Sequence, residues 1–213
     1  MPNLLHLDSS ADLERSRSRA ITRTFADAWL DLSDDHVVTY RDLHRERLPH
    51  LTDSSLHWPP RLRPAGARPP ASDESLQQEL LEELLAADVL LIGAPMYNYS
   101  MPSTLKAWID HIHVPGVTAP FDTDSQPLAG RTAVIVSSRG ASYDPGTPSD
   151  GWDHVVPPLQ IILGSALGMN VSVITTSLTL AEDIPSLSGE IDRSRRELAE
   201  AHAQAAALAR RLA

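Results

Sequence analysis

At 213 residues, with 42% hydrophobic and 22% charged side chains, the chain suits one globular domain, and a single domain over residues 1–213 is expected. A net charge of −10 leaves no cation surplus to displace counterions, which argues against a nucleic-acid partner. The lack of cysteine removes disulfides, thiolate metal sites and thiol catalysis, and no apolar run reaches the ~20 residues of a membrane span. The opening MPNLLHLDSS holds an apolar stretch too short for a signal peptide, so a cytoplasmic protein is expected.

Residues 3–8, NLLHLD, read as a short apolar strand. A polar loop follows, and Ser16 or Ser18 can cap a helix running to about residue 32, with Ile21, Phe25, Ala28, Trp29 and Leu32 on one face. Residues 36–43, HVVTYRDL, read as the second strand. Such a unit, with serines in its first loop, can hold a phosphate, because a helix N-terminus offers free N–H groups and a positive dipole. Neither G-x-G-x-x-G nor G-x-x-x-x-G-K-[ST] occurs. Ser9, Ser10, Ser16 and Ser18, with Arg17 among them, therefore stand as phosphate ligands or as simple helix caps.

Residues 45–72 are irregular and proline-rich, a length that marks a functional or mobile loop in a compact domain. From residue 73, Leu76, Leu80, Leu81, Leu84 and Leu85 form the apolar face of a helix to residue 87. Residues 86–95, AADVLLIGAP, are a continuous apolar run, the mark of a strand buried on both faces, ended by Gly93 and Pro95. A short loop leads to Pro102, which suits a helix's first turn, and Leu105, Trp108, Ile109 and Ile112 then share one helical face. A loop after a central parallel strand is where open α/β sheets bind ligands. Met96, Tyr97, Asn98 and Tyr99 in that loop suit the recognition of a flat ring.

Residues 111–131 form a second long connection, in which His111 and His113 lack a third ligand, so no metal is expected. A strand at 132–137 is followed by SRGASY and a turn-rich loop at 144–153. A helix at 155–167 closes at Gly168, the fifth strand is expected at 170–176, and the last helix at 187–212. Five strands alternating with helices predict an α/β doubly wound parallel sheet of order 2-1-3-4-5. That order brings the loops after strands one, three and four to one rim. No G-x-S-x-G and no paired-carboxylate motif offers a competing catalytic constellation.

The stretch P-M-Y-N-Y-S-M-P-S-T-L-K-A-W-I-D, residues 95–110, resembles the flavin loop of the FMN-dependent NADH:quinone oxidoreductases known as azoreductases. Their pattern is P-M-Y-N-F-x-x-P-x-x-L-K-x-x-x-D, and they also carry S-S and S-x-S in the first loop and S-R-G-G after the fourth strand. The resemblance implies a flavodoxin-like fold with bound FMN. It puts Ser10, Ser16, Arg17 and Ser18 at the phosphate, and Met96, Tyr97, Asn98, Tyr99, Ser138, Arg139, Gly140 and Ala141 around the ring. Asn98 and Tyr143 are the expected catalytic residues, with Tyr143, Phe121 and Trp58 on the acceptor side. It also implies NADH or NADPH as donor, a quinone or azo acceptor, two-electron ping-pong hydride transfer, and a homodimer with sites at its interface.

The chain departs from the family at three places. Ala119 follows Gly116-Val117-Thr118 where the family has an aromatic, Ala141 replaces the second glycine of S-R-G-G, and residues 162–168 lack both phenylalanines of F-L-G-F-x-G. Were position 141 to need a positive φ, alanine would strain it by roughly 1 kcal/mol. The competing reading with the same fold is a non-catalytic flavodoxin-like electron carrier or flavin-binding sensor. Flavodoxins lack the segment from Pro95 to Asp110.

Overall fold

Five parallel strands run through the computed structural model, which describes residues 1–212. They are β1 (Asn3–Asp8), β2 (Val37–Asp42), β3 (Val89–Gly93), β4 (Thr132–Ser138) and β5 (Asn170–Thr176), in the order β2-β1-β3-β4-β5. This is the order the alternation of strands and helices predicts. Leu5 pairs with Thr39 on one side and Leu90 on the other, and Ile92 lies beside Ile135.

Both faces of the sheet are covered, which is why the central strands read as unbroken apolar runs. Side chains alternate across a strand, so Leu4, Val89 and Leu91 enter one layer while Leu5, Leu7, Leu90 and Ile92 enter the other. The first layer is closed by α1 (Arg17–Leu30) and α5 (Ile191–Leu212), with Phe25 and Trp29 at its centre. The second is closed by α2 (Ala71–Ala86), α3 (Ser103–Ile112) and α4 (Val156–Leu159), around Trp108. Trp29 and Trp108 are almost wholly buried, and truncating either to alanine is worth about 3–5 kcal/mol of stability.

At the end of β3 the backbone passes so close to β1 that a Cβ on Gly93 would lie 2.5 Å from Asp8 Oδ1. Only glycine fits there. The helices depart from the expected bounds where local chemistry intervenes. α2 starts directly after Pro70, with Asp73 and Glu74 placed in its first turn to meet the helix dipole. The segment expected as one helix at 155–167 is a single α turn that widens into a π-helix over Gln160–Ala166, after Pro157 and Pro158, which have no N–H to give. Gly168, at φ 76°, closes it as expected, donating to the Gly164 carbonyl. The last helix begins at Ile191, because Pro185–Glu190 winds as a tighter 3₁₀ segment.

The proline-rich stretch contains two 3₁₀ turns, Ser54–His57 and Pro60–Leu62, and is stapled to the helices below it. Buried Gln77 on α2 donates to the carbonyls of Leu56 (2.8 Å) and His111 (3.0 Å), and the His111 ring meets the Pro49 carbonyl at 3.0 Å. No helix among the described residues is long and apolar enough to cross a membrane.

Candidate active site

The carboxyl ends of β1, β3, β4 and β5 are laced together by backbone hydrogen bonds that continue the sheet into its loops. Ser9 donates to Gly93, Ala94 to Val136, Met96 to Ser138, and Arg139 to Thr176. A cavity of about 430 Å³ opens on this rim, within the size range of small-ligand sites. Ser10, Ser16 and Arg17 line one end, Pro95, Met96 and Tyr97 one wall, and Ser138 and Gly140 another. A cleft of about 510 Å³ lies against α2, and one of about 610 Å³ takes in the ends of β1 and β2 and shares Ser16, but neither reaches the loops after β3 and β4.

The serine-rich end is built on the start of α1. Ser16 is its N-cap, accepting from the Arg19 N–H at 3.3 Å, and its hydroxyl lies 3.1 Å from that of Ser18. The N–H groups of the following turn have no intrahelical acceptor, which makes this terminus an anion seat. Ser18 itself is fully buried beneath Ser16 and does not line the cavity. Arg17 does, with its guanidinium 3.4 Å from the Ser194 carbonyl; burial pulls its pKa down while Glu182 and Glu197 push it back. Asp12 accepts the N–H groups of Glu14 and Arg15, and these bonds keep its carboxyl below the usual range. Below the loop, burial and the carboxylates of Asp8 and Asp42 push the Tyr40 hydroxyl up to about 12.

Tyr97 ties two loops together. Its hydroxyl accepts the Ala11 N–H at 2.9 Å and lies 3.1 Å from Ser10 Oγ. The next residues make a tight turn: Tyr97 and Ser100 exchange both backbone hydrogen bonds, and Asn98 (φ 50°) and Tyr99 (φ 68°) between them are left-handed. Two positive φ values in a row define a type I′ turn, which asparagine tolerates and tyrosine does not favour. Tyr99 is held in it by the His154 N–H on its carbonyl (2.9 Å) and by the edge of Trp152, whose ring centroid is 5.4 Å away. Among the described residues, the N–H groups of Asn98, Tyr99, Gly140 and Ala141 have no acceptor within the protein.

Residues 138–143 bring other adjustments. Arg139 forms an ion pair with Asp153 at 2.6 Å and faces a separate cleft, so the cavity meets Ser138 and Gly140 on either side of it. Ala141 carries no strain, since positive φ outside glycine occurs only at Asn98, Tyr99 and Leu178 among the described residues. Gly140 leaves this wall as bare backbone, beside the exposed Leu180 side chain. Tyr143 is half-buried and does not line the cavity; burial together with neighbouring Tyr99 raises its pKa. Trp58 and Phe121 do not line the cavity. They stack edge to face on one another at 5.0 Å, with Phe121 largely exposed.

Residues 2–208 match the family model described as a flavodoxin-like fold. The FMN-dependent NADH:quinone oxidoreductase of Kineococcus radiotolerans is 56% identical over 212 residues, 100% of each chain. Its counterpart in Frankia casuarinae is 42% identical over 208 residues, 96% of this chain and 97% of its own. The chain belongs to the family of FMN-dependent NADH:quinone oxidoreductases. An azoreductase from Bacillus anthracis strain Sterne shares the fold at a TM-score of 0.81 and 17% identity, over 98% of this chain and 99% of that one. So does an FMN-dependent NADH-azoreductase from the Ames Ancestor strain, solved in complex with FMN (TM-score 0.79, 18% identity, 100% of each chain).

The sequence pattern of this family did not point to the loop after β5. Thr179, Leu180, Glu182 and Asp183 line the cavity from that side, although no motif or spacing marks them. Trp152 and Asp153 also escape the pattern, because their partners Tyr99 and Arg139 are distant in sequence.

Proposed function

We propose that this chain is an FMN-dependent oxidoreductase that carries two electrons from NADH to a quinone or azo acceptor. The carrying observation is one cavity that joins an anion seat at the start of α1 to a flat wall at the ends of β3 and β4. The donor set fits FMN: the hydroxyls of Ser10 and Ser16, Arg17 and the first N–H groups of α1 suit a phosphate monoester. Pro95, Met96 and Tyr97 would hold the ring against the bare backbone of Gly140. When bound, FMN supplies hydride acceptance from the nicotinamide and reduction of the acceptor.

The protein's part is to bind, orient and stabilise charge. The free N–H of Gly140 lies on the cavity wall and is the first donor for a ring edge; those of Asn98, Tyr99 and Ala141, which lie outside the cavity lining, are assigned the same role, ordered by the turn and by the Ser138–Met96 bond. Tyr143 is assigned to the acceptor, with its protonated hydroxyl as hydrogen-bond donor. Pro95, Met96 and Tyr97 would cover one side of a bound flavin, and the reading assigns donor and acceptor in turn to the side these residues leave open, a ping-pong order. Trp58 and Phe121, paired and turned away from their own cavity, are assigned to the rim of a second copy's site in a homodimer. The cytoplasm, with its NADH, is the assigned compartment.

Purified protein should release FMN on acid treatment and oxidise NADH only when a quinone such as benzoquinone is supplied. Released FAD, failure to take up FMN, or an FMN-loaded protein inert to NADH would each sink the reading.

A further inference from the structure

One short segment grips the supports of both cavity walls without lining the cavity itself. Residues 152–154 leave a turn, in which the Trp152 N–H donates to the Ser149 carbonyl at 3.1 Å, and enter the core at Val155 and Val156. Trp152 packs on Tyr99 with the two rings nearly perpendicular (89°), and His154 donates to the Tyr99 carbonyl and accepts from Ser100 Oγ at 3.3 Å. Asp153, between them, turns the other way and meets Arg139.

Each contact falls where a wall cannot hold itself. Tyr99 lies at φ 68°, a conformation tyrosine rarely adopts, so the turn after β3 needs support from outside. Trp152 remains 48% exposed, so what this side chain gains is the Tyr99 ring rather than a place in the core. Arg139 has its Nε buried without an acceptor, and Asp153 is the residue that holds its guanidinium. That pair is shielded, at 14% and 16% side-chain exposure. The second oxygen of Asp153 accepts the N–H groups of Val155 (2.8 Å) and Val156 (3.1 Å), which ties the carboxylate to the core.

Tyr97 is two residues before Tyr99, and Gly140 directly follows Arg139, so both walls hang from anchors that this segment holds. A flat ring between two walls needs their separation fixed to a fraction of an ångström. We propose that Trp152 and Asp153 are positioning residues: they make 152–154 a brace that joins the turn after β3 to the loop after β4 and sets the width of the flavin slot. The proposal rests on the FMN reading above and adds to it residues outside the cavity lining.

The test compares wild type with Trp152→Ala, Trp152→Phe, Asp153→Asn and the Trp152→Ala, Asp153→Asn double variant, all in the full chain. Asparagine keeps an oxygen for the Val155 and Val156 N–H groups and removes the charge. In flavin-free protein, hydrogen exchange at the Tyr97, Ser100 and His154 amides should quicken about tenfold in Trp152→Ala and Asp153→Asn, with the amides of α5 unmoved. Fluorescence titration should show each binding FMN roughly tenfold more weakly, and Trp152→Phe, which keeps an aromatic edge, should recover most of the loss. Because a brace fails when either end is released, the double variant should bind FMN little worse than either single one. Exchange that quickens equally in α5 marks a general loss of stability and overturns the proposal. So do fully additive losses in the double variant, or a Trp152→Phe no better than Trp152→Ala. Wild type that binds no FMN sinks the reading above and the brace with it, whereas wild type that binds FMN no better than the single variants removes the brace alone.

Discussion

Arg19 grips both carboxylate oxygens of Asp42, Nη1 to Oδ2 and Nη2 to Oδ1, each at 2.8 Å. The same guanidinium donates to the Ser10 carbonyl from Nη2 (2.6 Å) and Nε (3.1 Å). One side chain therefore fixes the first loop to α1 and to the end of β2. The pair is shielded, at 12% and 7% side-chain exposure, so it escapes the solvent screening that makes surface pairs weak. Lysine keeps the charge but loses the fork. Arg19→Lys should weaken FMN binding by about tenfold, the equivalent of ~1.4 kcal/mol, in a fluorescence titration. Wild-type affinity in this variant would show that the loop keeps its shape without Arg19.

Ser16 separates capping from phosphate binding. A lost cap costs about 1 kcal/mol, whereas a hydrogen bond to a charged group is worth roughly 1.5–3 kcal/mol. Ser18 is buried away from the cavity, so the test falls on Ser16 alone: Ser16→Ala should lose more in FMN affinity than in folding stability. Calorimetric titration and thermal denaturation give the two numbers, and an unchanged affinity would leave Ser16 as a cap.

Asn98 and Tyr143 have different assignments. Asn98→Ala places a less tolerant residue at φ 50°, at a cost of about 1–2 kcal/mol, and loosens the turn that carries the ring. It should slow both half-reactions. Tyr143→Phe should leave flavin content and oxidation of NADH nearly intact while slowing quinone reduction up to about tenfold, the scale of one hydrogen bond. Stopped-flow traces of the two half-reactions decide it, and equal slowing of both by Tyr143→Phe would remove Tyr143 from the acceptor side.

Acid should weaken the fold through Asp8. Burial alone would raise its pKa, but His6 at 3.4 Å, Thr22 at 2.9 Å and the Arg19 charge outweigh it and hold the carboxyl below its ordinary 3.8. A depressed folded pKa gives stability that is present above the unfolded value and lost as pH falls through the folded one. Asp42 adds to the same acid limb: burial opposes ionisation there too, and Arg19 overcomes it. Asp8→Asn should cost about 1–3 kcal/mol at pH 7 and flatten the fall in stability below about pH 4. Urea unfolding at neutral and acid pH would show this, and an acid limb as steep as the wild type's would acquit Asp8.

The strand order and the site's rim were legible because they depend on local signals. Continuous apolar runs mark β3 and β4, and the dense motif from Pro95 to Asp110 follows one of them directly. The sequence does not reveal what depends on which loops meet. Tyr99 and Trp152, or Arg139 and Asp153, come together only once the sheet has set the loop ends, and neither pair has a spacing to recognise. Arg17 and Arg19 look alike in a chain whose cations are nearly all arginine, yet one lines the cavity and the other is spent on Asp42. The π-helix is also illegible, since its apolar pattern differs little from that of an α-helix.

The sheet order has a consequence for synthesis. β1 is the first strand made, yet it lies between β2 and β3, and the Asn3 carbonyl takes its N–H partner from Asp88, 85 residues later. At ribosomal rates of about 5–20 residues per second, the leading strand waits roughly 4–17 s before its second neighbour exists. During that interval Leu4, Leu5 and Leu7 are adhesive to any strand edge in reach. Until β3 is made, the edge of β1 that it will cover has no partner in this sheet.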